Sequence, residues 1–301
     1  MDADQVVGQW RLKRRLILWQ VAAVVATVAF VVAAFGGFTG VTKGDFVARI
    51  AIENLILDDT DRDAALVRIA DDPRAKALLV RINSPGGTVV GGETLFEGLR
   101  AVAAKKPVVA VMGEVATSAA YMTALGANRI YARPGSLTGS IGVILQTADL
   151  TGLLDTIGIK PEFIKSRPLK AQPNPFEPFT PEAREATRQV VLDLYGMFVD
   201  MVAERRGMKR DAVLVLADGR VFSGRQALAN GLVDALGGEP AARQWLAAER
   251  DVAADLDVHD VEIKRIVPLW RRALEGVLGK TLFSERLILD GLVSLWHPAR
   301  M

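Results

Sequence analysis

Apolar positions fall along this chain in three regimes. The first is Leu16 to Phe38, LILWQVAAVVATVAFVVAAFGGF, where Gln20 and Thr27 are the conspicuous polar residues and no charge occurs. About 20 apolar residues cross a hydrocarbon core of roughly 30 Å, so this run predicts a single N-terminal transmembrane helix over 16–38. A cleaved signal peptide has a shorter apolar core of about 7–15 residues, and no small-x-small site closes this run, so the anchor is expected to stay attached. Arg11, Lys13, Arg14 and Arg15 precede it, whereas Lys43 is the only cation soon after it. The positive-inside rule then keeps residues 1–15 in the cytoplasm and sends the remainder across. Trp10 and Trp19 suit the interfacial aromatic belt.

A linker over 39–46 leads into the second regime, in which short apolar runs alternate with helical periodicity. Runs at 47–57, 77–82, 107–112, 129–132 and 141–145 read as buried strands, and 60–71, 90–104 and 117–127 read as helices between them. Apolar strands alternating with helices predict βαβ units and a largely parallel sheet covered on both faces, an α/β architecture. Thr180 and Pro181 open a long helical run over 181–206, and 211–238 adds helix and turn up to Gly237 and Gly238. The third regime is a C-terminal extension over 241–301, predicted as a strand (VEIKRIV) followed by an amphipathic helix over 270–296.

Composition removes several function classes. A net charge of +2 over 301 residues, with no basic stripe, argues against nucleic-acid binding. The chain has no cysteine, hence no thiolate nucleophile, disulfide framework or Cys-based metal site. Its two histidines, His259 and His297, lie late in the chain, far in sequence from any Gly-rich loop. A Ser-His-Asp triad needs a histidine beside the nucleophile, so a hydrolase of this sequence calls on a different base. No cofactor or metal is implied.

Three loops at predicted strand ends carry candidate chemistry. In Asn83-Ser84-Pro85-Gly86-Gly87 the glycine pair lets backbone N–H groups approach a ligand, as an oxyanion hole requires, though a Pro-Gly pair also marks an ordinary turn. In the segment 113–121, Ser118 stands among small residues where a helix begins. It reads as a nucleophile whose own N–H faces the oxyanion or as a helix cap, and residue type alone favours the cap, a common place for serine. The third, 136–143, is rich in glycine and hydroxyls and precedes an apolar run whose edge suits an extended peptide. Further on, Lys170 sits among Pro, Leu and Ala. A lysine serves as a base only where desolvation or nearby positive charge brings it toward neutrality; otherwise it is a solvated surface cation.

Taken in order, NSPGG, M-G-x-x-A-x-S-x-x-Y at 112–121, L-T-G-S-x-G-V at 137–143, I-K-S-x-x-x-K at 164–170, A-D-G-R-V-F-S-G-R-Q-A at 217–227 and L-V-D-x-L-G at 232–237 resemble the signal peptide peptidase A family. These are bacterial membrane-anchored Ser/Lys peptidases with a Clp protease/crotonase-like ββα superhelical fold, and the resemblance spans residues 47–240. It implies Ser118 as nucleophile, Lys170 as general base and Ser140 as the hydroxyl that orients the lysine. It also implies oxyanion donors from Gly86, Gly87 and the Ser118 backbone. Expected partners are the membrane, hydrophobic peptides such as signal-peptide remnants, and further copies of the chain in a homo-oligomeric ring whose neighbours complete each other's dyad. The expected location is the bacterial inner membrane with a periplasmic catalytic domain. One departure stands out: Ala119 and Ala120 follow Ser118 where the family commonly has glycines, which predicts altered peptide preference.

Three rival readings share much of this scaffold. A related Ser/Lys protease would trim one specific membrane-protein partner. A crotonase-type acyl-CoA enzyme would use carboxylates, for which Glu93, Glu97 and Glu114 lie near the loops. A membrane scaffold would lack catalysis altogether.

Overall fold

The computed structural model describes residues 16–28, 30, 44–263 and 293–295. Two compact units divide the chain, Met1–Gly44 and Asp45–Met301. In the first, residues 16–28 are helical and their side chains are exposed. Thr27 Oγ1 donates to the Ala23 carbonyl at 2.8 Å, so this hydroxyl is satisfied on its own helix. Among the described residues no helix is long and apolar enough to cross a membrane. Residue 29 and residues 31–38 of the expected span lie outside them.

The second unit is a mixed α/β structure around one twisted sheet. Its elements run β1 (Phe46–Ile56), α1 (Thr60–Asp71), β2 (Ala75–Thr88), α2 (Val89–Ala103), β3 (Val108–Thr117), α3 (Ala119–Ala124), β4 (Arg129–Ala132) and β5 (Leu137–Gly139). After these come α4 (Thr151–Thr156), α5 (Pro181–Arg206), α6 (Arg210–Leu216), β6 (Val221–Ser223), α7 (Gly224–Ala229), β7 (Ala235–Leu236), α8 (Glu239–Arg250), β8 (Asp257–Asp260) and β9 (Val293–Leu295). The main path of the sheet is β6-β5-β3-β2-β1-β8, with β4 and β9 joining β3 and β2. β1, β2 and β3 are parallel, with Val80 between Ile50 and Ala110.

Period-two alternation explains why these strands are apolar almost throughout: both faces are covered. Ile50, Ile52, Leu78, Val80, Ile82, Ala110 and Met112 pack on one face beneath Leu66, Leu95, Leu99, Phe198 and Val202 from the helices. Val47, Ala77, Leu79, Val109 and Val111 line the other face, closed by Trp245 and Leu246 of α8. Each fully buried Leu or Ile side chain contributes about 1.5–3 kcal/mol of transfer free energy. Asp59 caps α1 and Thr180 caps α5, where Pro181 occupies the first turn.

The structure departs from the sequence expectation at four places. Residues 141–145 are not a strand; the strand is β5, which ends two residues earlier, and Gly139 (φ 82°) and Ser140 (φ 50°) then turn the chain out of the sheet. Ile141 and Val143 are nevertheless buried, which accounts for their strand-like pattern. NSPGG, read as a loop, continues β2 as far as Thr88. The C-terminal strand begins at Asp257, before VEIKRIV, of which 264–267 lie outside the described residues. Within 270–296 only 293–295 are described, and they are strand.

The motif L-V-D-x-L-G at 232–237 earns its composition structurally. Asp234 receives Arg206 Nη2 at 2.8 Å and the Ile130 backbone N–H at 2.7 Å. Arg206 Nε also donates to the Gly231 carbonyl at 2.7 Å, and Tyr121 OH donates to the Leu232 carbonyl at 2.9 Å. Burial pushes the Tyr121 phenol well above its ordinary range. This knot joins α3, β4, α5 and the 231–234 turn. Asp234→Ala strands a largely buried guanidinium, and a loss of about 2–4 kcal/mol is expected. The check is a thermal melt, in which the midpoint drops by several degrees; an unchanged midpoint would contradict it.

Candidate active site

Three of the six motifs converge at the carboxyl ends of β2, β3 and β5. Asn83 Oδ1 accepts the Glu114 and Val115 backbone N–H groups at 3.0 and 3.2 Å, bridging β2 to β3 where their register slips. Ser84 Oγ donates to the Asn54 carbonyl and receives the Gly86 N–H at 3.1 Å. Thr117 Oγ1 donates to the Pro85 carbonyl at 3.0 Å. Gly87 is a glycine of necessity, since a Cβ there would fall 1.8 Å from the Ile56 carbonyl oxygen. The segment is therefore a fastened strand end and not a free turn.

Ser118 follows β3 directly. Its backbone sits at φ 59°, ψ −122°, a region that non-glycine residues rarely occupy and that costs of order 1–3 kcal/mol. Position alone would make it the cap of α3, yet its side chain makes no capping hydrogen bond. The Ser118 N–H donates to the Gly139 carbonyl at 2.8 Å. That commits a donor which the sequence reading had assigned to the oxyanion, and makes the Ala119 N–H the next along the chain. Ala119 and Ala120 are wholly buried. A Cβ on Gly92 of α2 would come within 3.0 Å of Ala119 Cβ, so glycine at 92 makes the room that the Ala119 methyl uses.

Ser140 is held by the A-D-G-R-V-F-S-G-R-Q-A motif. Its N–H donates to the Arg220 carbonyl at 2.8 Å, and β6 pairs antiparallel with β5, setting Gly139 opposite Val221. The Asp218–Arg220 ion pair and the Ser223–Gln226 capping box stiffen this clamp. Since Thr117 pairs with Gly139, Ser118 and Ser140 leave neighbouring strands together. The structure brings Ser118, Ser140, Gly86 and Gly87 into one locus.

Lys170 lies on an arm, residues 141–180. It closes a turn in which its N–H donates to the Arg167 carbonyl at 3.1 Å, and its side chain is exposed. Glu177 organises the arm: Lys165 Nζ at 2.6 Å, Gln172 Nε2 at 2.9 Å and Asn174 Nδ2 at 3.2 Å all donate to it. The Lys165 hydrogen bond holds the Glu177 carboxyl below its ordinary range. A lowered carboxylate stabilises the arm above the ordinary glutamate range, and that stabilisation disappears as pH falls through the lowered value. Protection of the amides over 165–177 relative to their intrinsic exchange rates should fall below about pH 4, and Glu177→Gln should show the low protection at neutral pH. Protection independent of pH in the unaltered chain would contradict the assignment.

A half-buried lysine lies elsewhere in the described region. Desolvation pushes the Lys106 ammonium down, and its Nζ donates to the Ile69 and Asp72 carbonyls at 2.6 and 2.8 Å. It lies at the start of β3 and Ser118 at its end; ten strand residues at roughly 3.3 Å each keep them about 30 Å apart. Lys106 is a helix cap. His259 stacks on Phe46 in β8, at the far edge of the sheet from β3; His297 lies outside the described residues.

The family description Peptidase family S49 matches residues 100–253, which include Ser118, Ser140, Lys170 and the clamp that holds Ser140. The chain belongs to peptidase family S49. Its relatives bear the serine-peptidase reading out. A protein of Synechocystis sp. named as a candidate protease is 40% identical over 235 residues, 76% of this chain and 83% of that one. The chloroplastic serine protease SPPA of Arabidopsis thaliana is 32% identical over 75% of this chain, and protease 4 of Salmonella typhi is 37% identical over 58%. This S49 chain spans only 33% and 28% of those two proteins. Among solved structures, the 1510-N membrane-bound stomatin-specific protease, a mutant, superposes with a TM-score of 0.50 at 16% identity, over 73% of this chain and 98% of that one. A mutant ClpP1 from Listeria monocytogenes gives a TM-score of 0.44 at 16% identity, over 64% of this chain and 91% of that one.

Membership of a serine-peptidase family displaces the acyl-CoA reading, and the carboxylates give it no support. Glu114 is exposed, and Glu97 lines a surface groove between α1 and α2 with Asp63 and Lys105. Sequence reasoning on this S49 peptidase missed Thr117, Arg220 and Gly92, which position the site through one hydroxyl, one carbonyl and one missing methyl. The signals available in the sequence were the contiguity of Thr117 with Ser118 and the place of Arg220 within the motif at 217–227.

Proposed function

We propose that this S49 peptidase is a membrane-anchored endopeptidase that hydrolyses hydrophobic peptides, such as signal-peptide remnants, with a Ser118/Lys170 dyad. The backbone of Ser118 carries the reading: a strained serine that caps nothing, at the end of a central strand beside a glycine-bearing strand end, has the geometry of an activated nucleophile. Ser118 Oγ attacks the peptide carbonyl while Lys170 takes its proton. The protonated lysine then gives that proton to the leaving amine, and the neutral lysine so regenerated activates water to release the acyl-enzyme. Ser140 orients the lysine. Oxyanion donors come from the Gly86–Gly87 segment and the Ala119 N–H, because the Ser118 N–H is engaged.

Assembly completes the site in this reading. The arm that carries Lys170 exposes Leu153, Ile157, Ile159, Phe163 and Ile164, the last wholly so, and α4 buries no residue. Apolar surface on this scale marks an interface, and a homo-oligomer is the occupant proposed: a neighbouring copy covers the arm and shields Lys170 beside a serine. The 16–38 segment anchors the chain in the inner membrane with residues 1–15 cytoplasmic and the catalytic unit periplasmic, as its length and flanking charges support.

The full-length chain in detergent is tested against two fluorogenic peptides, one apolar with small residues at the cut and one charged. Selective cleavage of the apolar peptide, absent in Ser118→Ala, is expected. Equal cleavage of both would overturn the substrate class, and activity in Ser118→Ala would overturn the site.

A further inference from the structure

The edge of β2 at Gly86–Thr88 is occupied by the chain itself. β2 pairs with β1 as far as Gly87 on one side, and with β3 on the other only as far as Ser84, which faces Ala116. There β3 ends and the chain turns into α3 at Ser118. An open strand edge offers unpaired N–H and C=O groups to any extended segment. β9 takes that place: it runs antiparallel to β2 with Thr88 facing Val293, Gly87 facing Ser294 and Gly86 facing Leu295.

The register sets that strand against the proposed nucleophile. Gly86 lies two residues past Ser84, and Ser118 lies two residues past Ala116, the partner of Ser84. Thr117 Oγ1 on the Pro85 carbonyl confirms that the two chains keep step. Leu295, opposite Gly86, is therefore on the rung of Ser118. The segment Gly291-Leu292-Val293-Ser294-Leu295-Trp296 carries no charge and only one polar side chain. That composition matches the apolar peptides proposed as substrate. Ser118 itself keeps 1% of its surface.

We propose that Gly86–Thr88 is a strand-accepting peptide site and that residues 293–295 are its resident ligand, a tethered competitor that leaves before another peptide enters. Twenty-nine residues, 264–292, separate β9 from the described part of the extension. Because β9 belongs to the same chain, its encounter with the edge is intramolecular, at an effective concentration of up to about millimolar, so even a weak segment holds the site. The inference rests on the proposed peptidase reading for its consequence, but the strand contact itself does not depend on catalysis.

Two measurements on the full-length chain in detergent keep these apart. The first is amide exchange in Ser118→Ala, with and without a synthetic peptide of residues 289–299. Slow exchange at 293–295 and Thr88, with release of 293–295 by excess peptide, is expected; fast exchange at 293–295 without peptide, or slow exchange that peptide does not release, overturns the proposal. The second compares labelling by a serine-directed fluorophosphonate in the unaltered chain and in Ser294→Pro, which removes a strand N–H. About tenfold faster labelling of Ser294→Pro is expected, with a lower KM and an unchanged kcat on the apolar peptide. Equal rates overturn the tethered competitor while leaving the peptidase reading in place. Should neither chain label, the peptidase reading and the competitive role fall together, and the exchange result still decides whether 293–295 is the resident ligand.

Discussion

Lys170→Ala is expected to lower kcat/KM on an apolar peptide by on the order of 10⁴-fold, and Ser118→Ala by as much. The two act as one device, so the double variant should be no slower than either single one. Lys170→Arg should not rescue, because a guanidinium remains charged and cannot accept the serine proton. None of these changes should unfold the chain. Lys170 is exposed, and Ser118→Ala removes one hydroxyl that makes no capping hydrogen bond. Melting midpoints within a few degrees of the unaltered chain, beside lost hydrolysis, are the expected pair of results. Rates that multiply in the double variant would show that the two residues act independently.

The second large effect concerns the arm. Introducing Leu153→Asp with Ile164→Asp places two carboxylates on apolar surface that the single chain leaves in water, Ile164 completely. In an isolated chain such exposed substitutions change stability by no more than about 0.5 kcal/mol. At an interface they desolvate unpaired charge, costing several kcal/mol per contact. Light scattering should therefore show the oligomer replaced by a monomer that melts almost normally, and hydrolysis should fall more than about 100-fold because Lys170 loses its cover. Mixing Ser118→Ala with Lys170→Ala chains should restore part of the activity where one copy's lysine meets another's serine. An oligomer that survives the two aspartates would assign the exposed residues another role.

Much of this architecture was legible in the sequence because it rests on periodicity. The apolar runs at 47–57, 107–112 and 129–132 became β1, β3 and β4, since a strand covered on both faces leaves little room for polar residues. What failed did so where tertiary contacts overrode local signals. Pro85-Gly86-Gly87 carries turn residues, yet side-chain bonds from Ser84 and Thr117, and the Ile56 backbone against Gly87, hold it as strand. Ile141 and Val143 are buried without being strand, because two positive-φ residues redirect the chain just before them. At the site, residue types were readable but their commitments were not. Residue type and position alone did not distinguish Ser118 as cap from Ser118 as nucleophile, which the ordered motifs implied; the backbone angles and the missing cap bond bear on that choice. No sequence rule shows that the Ser118 N–H is taken by Gly139. The pairing of 293–295 with 86–88, across some 200 residues, was equally out of reach of any local pattern.

Mass spectrometry of the full-length chain after fluorophosphonate treatment tests the dyad most directly. A single adduct on Ser118, formed slowly or not at all in Lys170→Ala, is the predicted result. An adduct on another serine, or a Lys170→Ala chain that labels at the unaltered rate, would contradict it.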